Sequence, residues 1–148
     1  MWESLRNSRV DLPAGWVYHP QEAEGLLRQW EAEHGDLLSL EAERQYCGLD
    51  VWAATVTGPG DASDRPRLLS VVPHAHEPGG TAASVEFLCQ LITGRSLAGG
   101  PSSIPRDRYL AEAEITVIPA GNPDGLARSP LPAWDGSVVD NDEFWRIM

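Results

Sequence analysis

The sequence predicts one α/β domain over residues 1–148, with a mixed, mostly parallel central sheet flanked by helices. Three observations carry this expectation. Two segments repeat apolar residues at helical spacing, two short, largely apolar strand candidates are each followed by a loop of ligand-type or turn residues, and the order between those runs is strand, helix, strand. The chain has 148 residues, 42% of them hydrophobic, which is enough to bury a core and argues against disorder along the whole length.

The elements follow in order. Residues 1–20 show no sustained period and read as an extended lead-in. From Gln21 to His34, Ala23, Leu26, Leu27 and Trp30 fall at i, i+3, i+4 and i+7, one apolar helix face, with Gly35 in the C-cap position. Leu38–Cys47 and Leu49–Thr57 alternate as strands and predict a hairpin around Cys47-Gly48. After the turn cluster 58–64, Leu68-Leu69-Ser70-Val71-Val72 is a short, nearly continuous apolar run, as expected of a central strand covered on both faces. Thr81 is placed to cap a second helix, in which Val85, Leu88, Cys89 and Ile92 repeat the helical spacing before Gly94 ends it. Residues 95–105 are a Gly, Ser and Pro-rich connection, Tyr109–Glu112 closes a short helix, and Ile115-Thr116-Val117-Ile118 is a second buried strand. Beyond Pro119 the pattern is irregular.

Charge excludes one class of function. There are 22 Asp+Glu against 11 Lys+Arg, a net charge of -11, and every cation is an arginine standing apart from the others. A nucleic-acid partner needs a basic footprint, which this chain lacks. No stretch approaches the roughly 18 apolar residues of a membrane span, and the N-terminus has no apolar signal region, so the expectation is a soluble, cytoplasmic protein. Cys47 and Cys89 are too few for a disulfide framework and read as free core thiols.

The densest group of ligand-type residues is His74-Ala75-His76-Glu77, directly after the first buried strand. Loops at the carboxyl ends of sheet strands are where α/β folds place their sites. On a tight turn His74 and Glu77 converge, and an imidazole with a carboxylate suits zinc with a position left open for water. Spacing alone leaves open that His74 and His76 cap the helix or sit solvated. The second special loop, Asn122-Pro123-Asp124-Gly125, follows the second strand and emerges on the same edge if the two strands are parallel. His19 and His34 lie away from that edge and read as surface residues.

Together, His74-Ala75-His76-Glu77 before a helix and Ile115–Ile118 before Asn122-Pro123-Asp124-Gly125 resemble the zinc carboxypeptidases of the carboxypeptidase A type. Glu43–Val51 is similar, in degraded form, to that family's hairpin motif, and the resemblance covers about residues 17–126. It implies a zinc ion held by His74 and Glu77 and a metal-activated water that cleaves peptide or related amide bonds. It places His76 and Asn122 as substrate-binding residues, His76 standing where the family often has an arginine, and Arg146 as a cation for the developing oxyanion. The family's third zinc ligand and general-base glutamate come later than residue 148. The resemblance therefore implies an incomplete zinc peptidase-like domain, completed by a missing C-terminal half or a partner chain, with a peptide or amino-acid amide as substrate. Half a sheet would leave an exposed edge and an uncovered apolar face. Three other readings stand beside this one: a deacylase of N-acyl amino acids, a degenerate, non-catalytic module that binds a peptide, and a barrel-type amidohydrolase built on His74-x-His76, for which the length cannot close a barrel.

Overall fold

The computed structural model describes residues 12–75 and 77–129. Helix α1 (Pro20–His34) starts on a proline, whose missing N–H costs nothing in the first turn, and buries Ala23, Leu27 and Trp30. Strands β1 (Leu38–Arg44) and β2 (Asp50–Thr57) pair antiparallel in register from Leu38 opposite Val56 to Arg44 opposite Asp50. Their turn is wider than the sequence predicts: Gln45 donates its N–H to Leu49 and Gly48, at φ +87°, donates to Gln45. Cys47 sits half-exposed in this turn, so only Cys89 is a core thiol, and burial pushes that thiol's pKa up.

Strand β3 (Arg67–Val71) leads to α2 (Pro78–Thr93), α3 (Arg106–Glu112), β4 (Glu114–Ile118) and the short helix α4 (Pro123–Ala127). Gly94 ends α2 in the left-handed region, at φ 73°, and its N–H bonds to Gln90 O, as its position in the sequence suggests. The irregular stretch expected after Pro119 thus holds a helix. The sheet order is β1-β2-β4-β3.

Two expectations are corrected here. The sheet is mixed but mostly antiparallel, because a short turn joins β1 to β2 and β2 runs against β4; only β3 and β4, joined by a helical crossover, are parallel. And β3 is not a central strand: it lies at the sheet edge, all five of its residues are exposed, and Leu69 is 67% exposed. A nearly continuous apolar run does not by itself distinguish a covered strand from one at the sheet edge.

One core underlies the sheet. Ala54, Val56, Ile115 and Val117 point to the face covered by α1, α2 and α3, where they meet Leu27, Leu88, Ile92 and Leu110. Alternation sends Thr55, Thr57, Glu114 and Thr116 to the opposite face. There Thr55 and Thr116 share a hydroxyl bond of 2.9 Å, and Arg67 pairs with Glu114 at 3.0 Å. Among the described residues no helix packs on that second face, and none is long and apolar enough to cross a membrane.

Candidate active site at the carboxyl ends of β3 and β4

Because β3 and β4 are parallel, both deliver their following loops to one edge. Val72 N donates to Ile118 O at 3.0 Å and Gly121 N donates to Val72 O at 2.8 Å, so the ladder continues one step past each strand. The helix after β3 begins at Pro78, with Glu77 in the N-cap position, not at Thr81. Thr81 does something else: fully buried in the first turn, it donates its hydroxyl to Pro119 O at 2.8 Å and ties α2 to the end of β4. Removing that donor strands a buried carbonyl, which costs roughly 1–3 kcal/mol. Thr81→Val is accordingly expected to lower the urea-unfolding free energy by about 1–3 kcal/mol, while Thr81→Ser, which keeps the hydroxyl, recovers most of it.

The first loop closes as a tight turn, with Glu77 N donating to His74 O at 3.2 Å and Gly80 N to Glu77 O at 3.0 Å. This turn brings His74 Nδ1 to 3.2 Å from Glu77 Oε1, with the two side chains 60% and 53% exposed. As a solvent-exposed ion pair the contact is worth about 0–1 kcal/mol, too little to explain it as a stabilising device. As a nitrogen and an oxygen donor held 3.2 Å apart and open to water, the pair has the chemistry of part of a metal site.

The second loop is built by capping. Asn122 Oδ1 accepts from Gly125 N at 3.0 Å, Pro123 occupies the first helical position, and Asp124 pairs with Arg128 one turn on at 3.2 Å. Asn122 is exposed beside the first loop, and Gly121 packs against Val72 O and Pro73. His74, Glu77 and Asn122 are thus gathered at one sheet edge. His76 and Arg146, the other two expected site residues, lie outside the described residues.

The reading of His19 is corrected. Pro20 and Ala23 line a small recess with Pro119 and Ala120, so the N-terminus of α1 lies at the same edge as the two loops. A lead-in without period cannot reveal this, because a helix docks wherever its apolar face is buried. His34 sits at the opposite end of that 15-residue helix, about 20 Å away at 1.5 Å per residue. Among the described residues no three His, Cys, Asp or Glu side chains gather to hold a metal ion. The nitrogen and oxygen donors of His74 and Glu77 have the chemistry of part of a zinc sphere.

No protein-family model matches the chain, and no curated protein matches it in sequence. Solved structures match its fold. The crystal structure of thrombin activatable fibrinolysis inhibitor superposes with a TM-score of 0.65 at 12% identity, covering 86% of this chain and 32% of that one. Carboxypeptidase A from Helicoverpa armigera gives 0.63 at 14% identity, over 82% of this chain and 28% of that one. The bovine thrombin-activatable fibrinolysis inhibitor, in complex with a tick carboxypeptidase inhibitor, gives 0.57 at 14%, over 78% of this chain and 34% of that one. The fold is therefore that of carboxypeptidase A-type structures, and the chain spans about a third of their length.

Proposed function

We infer that this chain carries one side of a zinc-dependent, carboxypeptidase-like hydrolase site that acts on peptide or related amide bonds. The observation that carries the reading is the 3.2 Å approach of His74 Nδ1 to Glu77 Oε1 at the carboxyl end of β3, beside the Asn122–Gly125 loop, in a carboxypeptidase A-type fold. His74 and Glu77 would hold the ion. When bound, zinc supplies a Lewis acid for the scissile carbonyl and lowers the pKa of a water ligand toward neutrality.

The chain's own residues do the rest. The tight turn from His74 to Glu77 pre-sets the two donors, so little rotamer entropy is lost when they close on an ion. Asn122 has its carbonyl oxygen committed to the cap of α4, which leaves its amide N–H groups as the part that would donate to a substrate oxygen. His76 and Arg146 retain their proposed roles: His76 contacts substrate, and the Arg146 guanidinium offsets charge that develops on the carbonyl oxygen. Zinc with only two protein donors binds weakly, so turnover calls for the third ligand and a base from further chain or a partner.

Equilibrium competition against a chromogenic zinc chelator tests the metal reading. The wild-type chain is expected to bind zinc measurably, and His74→Ala and Glu77→Ala each to weaken it by at least about tenfold, since even partners that merely support a ligand are worth that much. Affinity unchanged in both variants would sink the assignment of this pair.

A further inference from the structure

We propose that Gly125 is a positioning residue for the His74–Glu77 pair, acting by having no side chain. The proposal rests on the reading of that pair as the donor set and goes beyond it. Gly125 lies inside α4, where it does not adopt a left-handed φ, so its backbone needs no glycine. Helix propensity would favour alanine there. What excludes alanine is space. A Cβ at Gly125 would lie 2.5 Å from the Ala75 Cβ and 2.9 Å from Asn122 Nδ2. Carbons in contact sit about 3.5–4.0 Å apart, so the first of these is short by about 1 Å. The Asn122 amide is the end of a side chain and can yield, whereas the Ala75 methyl is fixed to the backbone of the turn.

That turn is the one that matters. Ala75 lies between His74 and Glu77, and its near neighbours are held from behind by Gly121 N on Val72 O and by the Thr81 hydroxyl on Pro119 O. With the rear of the loop fastened, an added methyl on α4 pushes on Ala75, and the displacement falls on the residues to either side of it. The contact between Gly125 and Ala75 thus sets how the His74 imidazole and the Glu77 carboxylate face each other. It also explains why two loops 50 residues apart in the chain act as one site.

The test exchanges the methyl group across the contact. Gly125→Ala and the double variant Ala75→Gly, Gly125→Ala are compared with wild type by two readouts: nuclear Overhauser contacts between the His74 ring and the Glu77 side chain, taken without metal, and zinc affinity by chelator competition. Gly125→Ala is expected to lose the ring-to-side-chain contacts and to bind zinc about tenfold more weakly, as loss of a supporting neighbour does. The double variant, which puts one methyl back into the same gap, is expected to restore both. Ala75→Val enlarges the contact from the loop side and is expected to reproduce the defect, which keeps the test open should Gly125→Ala not fold. Contacts unchanged in Gly125→Ala, absent already in wild type, or unrestored in the double variant overturn the proposal. If the contacts follow this pattern while wild type binds no zinc, positioning stands and the metal reading fails.

Discussion

Leu88→Ala is expected to lower the unfolding free energy by about 3–5 kcal/mol. Leu88 is 0% exposed at the centre of α2, in the cluster that joins α1, α2 and α3 to the covered face of β2 and β4. Truncation removes its transfer energy and leaves a cavity that neighbours on three helices cannot fill by collapsing together. Domains are stable by roughly 5–15 kcal/mol, so a loss of this size takes a large share of the total. Urea unfolding followed by tryptophan fluorescence checks it, and a loss under about 1 kcal/mol would mean the core is looser than its burial indicates.

Gly58→Ala is expected to cost about 3 kcal/mol by the opposite mechanism, overpacking. A Cβ there would stand 2.1 Å from Leu110 O and 2.7 Å from Leu110 C, both backbone atoms that cannot rotate away. Arg65 reinforces this junction: its guanidinium donates to Gly58 O at 2.8 Å and to Leu110 O at 3.1 Å, tying the end of β2 to α3. Separating the two elements to admit a methyl therefore strains those bonds as well. Gly25 supplies the control, because its Cβ would meet nothing within 4 Å in the middle of α1. Gly25→Ala is expected to raise stability by up to about 1 kcal/mol through helix propensity. Equal effects at the two glycines would remove the steric argument.

These two positions also show what was legible in the sequence. The faces of α1 and α2 follow from a period of 3.6, and Leu27, Trp30, Val85, Leu88 and Ile92 are buried where the spacing puts them. The convergence of His74 with Glu77, and their placement beside Asn122, were likewise readable, since both loops follow strands that turn out to be parallel neighbours. Strand order was not. Periodicity describes an element's own faces and says nothing about which neighbour it takes, so β3 reads as a central strand although it stands at the edge. The antiparallel bias of the sheet escaped for the same reason. Thr81 reads as a cap because a hydroxyl that bonds a distant carbonyl leaves the same mark in sequence as one that bonds its own helix. Close approaches at Gly58 and Gly125 were also hidden, because a glycine needed for space looks like any other until the atoms facing it are known.

Leu88 and Gly58 hold the scaffold, whereas metal binding rests on the side chains of His74 and Glu77. A proton–nitrogen spectrum of the four histidine rings, recorded during zinc titration of the intact chain, reads that binding at the side chains themselves. His74 resonances are expected to shift saturably with zinc and Glu77→Ala to move that titration to at least about tenfold higher zinc, with His34, at the far end of α1, unmoved. Saturable shifts of other rings with His74 unmoved would contradict it, and the search for function would pass to the peptide-binding reading.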